Sequence, residues 1–262
     1  MNEQDYLKGR IRDLWRRACR EDYLTHSRFL GLSEQAIVRE TLLEEGAPRN
    51  PGKNGDGPFW LLEGGTAEDD RRLLLCCPYW LEEPVPLEEI ITCLQVVPRN
   101  ARFTDHPSHR DYLGALMHLG ITREQIGEIY AGEDSAYLFA MKEMEEMICR
   151  ELRSVRHTAV QVRPVPASSC EAVKRTREIA GTIASERIDS IVAMAFHLSR
   201  GQAQDLLAAE RVFADGRIPS GASYTPAPGE RISVRGYGKF VYLGTKGTTR
   251  KGRLGAVVRM FV

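Results

Sequence analysis

The stretch from Ser185 to Gly244 changes its hydrophobic period part-way along, and that change constrains the fold more than any other feature. Ile188, Ile191, Val192 and Ala195 recur at i, i+3, i+4 and i+7, one face of a helix that Ser185 is placed to cap. Ser199 begins a second helix, Gln202 completes a capping box with it, and Ala203, Leu206 and Leu207 form its buried stripe. Beyond that helix the period becomes two. Arg211–Ala214 reads as a strand, Asp215-Gly216 as a two-residue type I′ turn and Arg217-Ile218 as the returning strand. A further strand, Arg231–Arg235, follows the turn signal Pro228-Gly229. The expected unit is a helix pair packed on a small twisted sheet.

The polar positions left over in this stretch are mostly basic: Arg187, Arg200, Arg211, Arg217, Arg235 and Lys239. Arg187 opens the first helix and Arg200 the second. A cation at a helix N-terminus opposes the macrodipole, so helix stability does not account for either. A phosphate shared between guanidinium forks and exposed N–H groups does. The formal net charge of zero conceals an asymmetry in the same direction: residues 186–262 hold 12 Lys+Arg against 6 Asp+Glu, and the remainder 24 against 30. The C-terminal third is the part suited to a polyanion. The run at 246–253, with Arg250, Lys251 and Arg253, reads as a flexible basic segment able to reach a phosphate backbone.

A chain of 262 residues, 42% hydrophobic, has room for two or three domains with cores of their own. No apolar run of 18 residues occurs, the first ten residues hold no apolar signal segment, and the six cysteines form no C-x-x-C pair. A cytoplasmic protein with reduced thiols is expected. Residues 6–24 read as an amphipathic helix on which Lys8, Arg12, Arg16 and Arg20 line up at intervals of four. Like charges at that spacing repel by roughly 0.2–0.5 kcal/mol per pair. The row is either a second RNA-facing surface or a solvated face balanced by Asp13 and Glu21. A helix capped by Ser33 follows and ends at Gly46, and the Gly/Pro/Asn-rich segment 46–58 reads as a mobile loop.

From Arg71 strands and helices alternate. Leu73–Cys77 reads as a strand, Leu87–Leu94 as a helix and Val96–Phe103 as a second strand. His109–Leu119 reads as a helix, Gly127–Ala131 with Ala136–Ala140 as a hairpin, Met141–Leu152 as a helix and Thr158–Val162 as the closing strand. The order is βαββαβ, a ferredoxin-like or RRM-like layout lacking the aromatic motif that stacks bases in a standard RRM. In the cluster 106–129, His106, His109 and His118 have neither the spacing nor the companions of a metal site. His109-Arg110-Asp111 lacks the other parts of a kinase loop. Tyr112, Leu113, Leu116 and Met117 read as helix core, with Gly114 and Gly120 allowing close packing, and Arg110 and Arg123 as candidate RNA-facing cations.

Arg187-Ile-Asp189, then Leu198-Ser-Arg200 with Ala203 after it, then Val212 through Asp215-Gly216 and the strand Gly229-Glu-Arg-Ile-Ser-Val234, resemble the S4 RNA-binding domain. Asp215 stands where that family usually has Asn, and Glu210 where it usually has Gly. The block from His109 to Ile129, with Gly64-Gly65 and Asp70-Arg71-Arg72 upstream, Arg235–Phe240 and Thr249–Arg253, resembles the YlmH family over roughly residues 26–262. Glu128, where that family favours Asp, and the long loop at 46–58 depart from the pattern. The resemblance implies a non-enzymatic binder of structured rRNA and tRNA at the large ribosomal subunit, handling peptidyl-tRNA in ribosome rescue. It implies no cofactor, no metal, no membrane and no small-molecule substrate, and a monomer is expected. RNA contacts are expected from Arg187, Ser199, Arg200, Gln202, Arg211, Arg217, Arg235, Lys239, Arg250, Lys251 and Arg253. The class expected is α+β: a helical region at 1–70, a ferredoxin-like domain at 71–166, a linker or edge strand at 167–184, the S4 domain at 185–244, and a basic tail with a terminal strand at 245–262. The competing readings are an RNA-modifying enzyme targeted by its S4 domain and a cell-division-associated interaction protein. No nucleophile, acid–base pair or Gly-rich cofactor loop supports the first. The acidic surplus before residue 186 is compatible with the second.

Overall fold

The computed structural model describes residues 2–49, 57–66, 69–81, 85, 87–100, 105–172, 176–248 and 252–261. The chain divides into two compact units, Met1–Lys174 and Arg175–Val262. Both are α+β with antiparallel sheets. No helix among the described residues is long and apolar enough to cross a membrane.

The first unit opens with α1 (Glu3–Glu21), capped by Asn2, whose Oδ1 accepts the Asp5 N–H at 2.7 Å. Strand β1 (Thr25–His26) leads into α2 (Leu32–Glu44). The N-cap of α2 is Gly31, two residues before the expected Ser33. Glu34 Oε2 accepts the Gly31 N–H at 2.6 Å, so the capping carboxylate comes from inside the first turn. Strands β2 (Phe59–Glu63) and β3 (Leu73–Cys77) complete a sheet of order β1-β3-β2. Leu73–Cys77 is therefore not the first strand of the middle sheet. All five of its residues are buried, because Leu74 and Cys76 pack under α1 and α2 while Leu73, Leu75 and Cys77 face Ile91, Cys93 and Phe139.

The middle sheet starts one strand later than expected. Leu87–Glu89 is a single 3₁₀ turn rather than part of a helix, and β4 runs Ile91–Pro98. Its first four residues, Ile91–Leu94, are all buried, so the alternation that marks a half-covered strand is missing there. Then come α3 (His109–His118), β5 (Ile126–Ala131), β6 (Ala136–Met141), α4 (Glu145–Glu151), β7 (Ser154–Val155) and β8 (Thr158–Val165). Residues 101–104, the end of the strand expected at Val96–Phe103, lie outside the described residues. The sheet order is β5-β6-β4-β8-β7. Counted from β4, this is the βαββαβ ferredoxin-like layout, with its first and third strands central and antiparallel. Asp111 accepts the Ser108 N–H at 2.8 Å and its hydroxyl at 2.7 Å, so the His109-Arg110-Asp111 string begins a helix. A Cβ on Gly114 would meet nothing within 4 Å, so close packing does not require that glycine; Gly120 answers a positive φ of 84°.

The second unit is built from β9 (Thr176–Ile183), α5 (Ile188–Ala195), α6 (Arg200–Ala208), β10 (Val212–Ala214), β11 (Arg231–Val234), β12 (Gly238–Thr248) and β13 (Leu254–Phe261). Its sheet runs β10-β11-β12-β13-β9. The helices lay Ile188, Ile191, Val192, Ala203 and Leu206 over Val212, Ile232, Val234, Phe240, Tyr242 and Val258. Arg187, not Ser185, is the N-cap residue of α5. Asp215 and Gly216 have the positive φ values, 44° and 79°, that a type I′ turn requires. The returning segment, however, makes one bridge only, Ala214 to Arg217, and β10 takes β11 as its partner instead. Lys246 lies in β12, not in a flexible run, because β12 continues to Thr248 against β13 through two register shifts.

Candidate RNA-binding surface

The corner between α5 and α6 is organised by one buried carboxylate. Asp189, in the first turn of α5, is fully buried. Arg187 grips it with a fork, Nε to Oδ1 at 3.1 Å and an Nη to Oδ2 at 3.0 Å. Arg200 Nε reaches Oδ2 at 3.1 Å, Gln204 Nε2 the same oxygen at 2.9 Å, and the Ser190 hydroxyl Oδ1 at 3.3 Å. Burial by itself raises the Asp189 pKa. The bonds from Arg187, Gln204 and Arg200 outweigh it and hold the carboxyl well below the usual carboxylate range. The two arginines at helix starts thus do have a structural partner, contrary to the expectation that only an outside anion accounts for them. A partner eleven residues away from Arg200 cannot be read from local spacing. Arg200 keeps about half of its side chain exposed. Only its Nε has a hydrogen-bond partner among the described residues.

Ser199 and Gln202 form the expected capping box: Ser199 Oγ accepts the Gln202 N–H at 3.2 Å and Gln202 Oε1 the Ser199 N–H at 2.8 Å. Both oxygens are engaged with the helix end. Arg235 and Lys239 stand elsewhere. Phe213, Ser233 and Lys239 are cross-strand neighbours that alternate with core residues, so they occupy the sheet face opposite the helices. Arg235 Cζ lies 4.7 Å from the Phe213 ring centre, and Lys239 Nζ 5.0 Å and Arg231 Cζ 5.5 Å from that of Phe261. This cation-covered aromatic face was not anticipated as one feature; its signal in the sequence is a cation directly beside a core position, Arg231 by Ile232, Arg235 by Val234 and Lys239 by Phe240. Arg211 donates to the Arg235 carbonyl at 2.8 Å, Arg217 is exposed on the β10 turn, and Arg253 donates to the Thr182 carbonyl at 3.1 Å. Arg250 and Lys251 lie outside the described residues. The basic positions therefore separate into a helix-corner group and a sheet-face group.

In the first unit, half of the α1 row is accounted for internally. Arg12 pairs with Glu44 at 3.0 Å and Glu45 at 2.8 Å, and Lys8 lies 4.0 Å from Glu44. Arg16 and Arg20 are exposed. Arg71 is a clamp: Nε donates to the Ile126 carbonyl at 2.8 Å and an Nη to those of Phe29 and Arg123 at 2.9 and 3.0 Å. Burial lowers its pKa to about 10. Beside it, Asp69 is buried, its pKa raised by desolvation, and accepts from the hydroxyls of Thr66 and Tyr130. Phe139 stands on the sheet face that stacks bases in an open RRM, but here it is 1% exposed. A Cβ on Gly65 would lie 2.0 Å from its ring. Beyond this covered region, Arg163 donates twice to Gln95 Oε1, at 2.9 and 2.8 Å, on the same sheet.

Residues 90–169 match a family described as "Putative RNA-binding domain in YlmH". Over 245 residues the chain is 26% identical to "Ribosome-associated protein quality control protein P2" of Bacillus subtilis (strain 168), an alignment covering 91% of this chain and 88% of that protein. Both matches point to a likeness with the YlmH family. Among solved structures it resembles "Cell division protein ylmH from Streptococcus pneumoniae", with a TM-score of 0.48 and 14% identity over 64% of this chain and 94% of that one. The matched segment runs from the start of β4 to just beyond β8 and contains the ferredoxin-like sheet. Arg110 and Arg123, read as candidate RNA-facing cations, fall inside it, whereas the expected contacts from Arg187 to Arg253, chosen by local basic patterning, fall outside.

Proposed function

We propose that this protein is a non-enzymatic RNA-binding factor that docks on structured ribosomal or transfer RNA at the large ribosomal subunit, in ribosome rescue or quality control. Residues 185–244 are its S4 module, extended by strand β13 and the edge strand β9. The observation that carries the reading is the Asp189-centred corner, which fixes two arginines in place while half of the Arg200 side chain stays open to solvent. Guanidinium groups held in advance lose less side-chain entropy when a phosphate arrives, and their fork matches phosphate geometry. The net charge of +6 over residues 186–262 supports the same partner, as do the family description and the printed name of the Bacillus subtilis relative. Shape and phosphate geometry dominate such recognition, because A-form RNA hides its base edges in a deep, narrow major groove. Arg200→Ala combined with Arg235→Ala removes one cation from each basic group. The expected result is weaker binding to total tRNA or isolated large subunits and a shallower dependence of log K on log salt, by roughly one unit for each phosphate no longer neutralised. Identical salt titrations for the double variant and the parent chain would refute this surface.

A further inference from the structure

Between β9 and the α5–α6 corner lies a groove of about 420 Å³. That volume falls within the roughly 300–1,000 Å³ typical of ligand sites. Its floor and walls are apolar: Ile179, Ala193, Met194 and Leu198, with the β9 backbone from Ala180 to Ala184 along one side. Gly181 lets α5 come this close, since a Cβ there would lie 2.6 Å from Met194 Cγ. Two guanidinium groups are part of the lining, Arg200 and Arg253, together with His197 and Ser190, and no carboxylate among the described residues belongs to it. Both arginines are fixed from behind. Arg200 is held through Nε by Asp189, and Arg253 through an Nη by the Thr182 carbonyl.

We infer that this groove receives a single nucleotide lifted out of a bound RNA, with its phosphate between Arg200 and Arg253 and its base against Met194 and Leu198. The inference rests on the RNA-binding reading above and adds to it a defined receptor for one base. A groove lined by two guanidinium groups and by no carboxylate among the described residues selects an anion. An apolar slot beside it selects a flat ring, because a thioether and aliphatic side chains give dispersion contacts to a base face without needing its hydrogen-bonding edge. A nucleotide combines the two at bonding distance, whereas a stacked A-form helix keeps its bases inside. Unstacked residues of loops and bulges are the part of a structured RNA that can enter.

The test uses the full chain with its methionine and alanine methyls labelled for NMR. Adenosine 5′-monophosphate is expected to shift the Met194 and Ala193 methyls saturably while leaving the Met147 methyl of the first unit unmoved. Inorganic phosphate is expected to leave the Met194 and Ala193 methyls in place. If total tRNA binds the full chain but the mononucleotide moves neither groove methyl, the inference fails and the RNA-binding reading survives. If neither ligand binds at low ionic strength, both fail. Ala193→Phe fills the slot. In that variant, with a folded spectrum, a Met194 shift equal to the parent's places the mononucleotide elsewhere and overturns the assignment. Loss of the shift supports it.

Discussion

Asp189→Asn tests the centre of the second unit directly. Asparagine keeps the shape of the side chain but presents neutral groups where two guanidinium groups, an amide and a hydroxyl now converge on a fully buried carboxylate. Removing one member of a buried ion pair costs about 3–5 kcal/mol. Here water can take over part of the missing interaction, because the side chains of Arg187 and Arg200 are 35% and 52% exposed. That discount brings the expectation to about 2 kcal/mol, or roughly 30-fold faster hydrogen exchange at the α5 and α6 amides at pH 7. All three tryptophans, Trp15, Trp60 and Trp80, belong to the first unit, so their fluorescence monitors that unit separately. The pH dependence has a definite sign. Asp189 is depressed below its unfolded pKa of about 3.9, so its contribution is complete above that value and disappears as pH falls toward the folded one. The gap between parent and variant should therefore hold from pH 7 to about pH 5 and close from about pH 4 downward. Unchanged protection of α5 and α6 at pH 7, or a gap that stays constant through pH 3, would show that the carboxylate does not hold the corner together.

Other substitutions probe neighbouring parts of the molecule. Glu210 ends α6 with a φ of 52°, a conformation glycine adopts freely, so Glu210→Gly should stabilise the second unit by about 0.5–1 kcal/mol in urea denaturation followed by circular dichroism. Ser199→Ala removes the oxygen that accepts the Gln202 N–H and should cost about 1 kcal/mol, read as faster exchange confined to the first turn of α6. In the first unit, Gly65→Ala drives a Cβ into the Phe139 ring and should lower stability by about 1–3 kcal/mol in a tryptophan-monitored urea titration. Arg71→Lys cannot reproduce a fork that serves three carbonyls and should be destabilising by about 2 kcal/mol in the same titration, whereas a purely electrostatic role would leave it near neutral.

The helix pair of the second unit was legible because its signals are local. A capping box spans three residues, a buried stripe repeats every three or four, and Asp215-Gly216 carries its backbone preference in its own side chains. The hairpin of β5 and β6 and the two helices of the ferredoxin-like fold were readable on the same grounds. Strand β4 was not. Covered on both faces near its start, it loses the alternation that would mark it, and the neighbouring 3₁₀ turn imitates the start of a helix.

The amino-acid order by itself determined which segments are amphipathic, where helix α6 begins, where the tight turn of β10 falls, and that the positive charge lies late in the chain. Only the tertiary structure decided that Leu73–Cys77 pairs with β1 and β2, that Arg187 and Arg200 share Asp189, that Arg71 clamps three carbonyls, and that the basic residues divide between a helix corner and a sheet face. The reason is range. Periodicity and caps act across one or two turns of backbone, whereas a buried charge takes whichever partner the packed chain brings to it, and nothing in the local pattern names that partner.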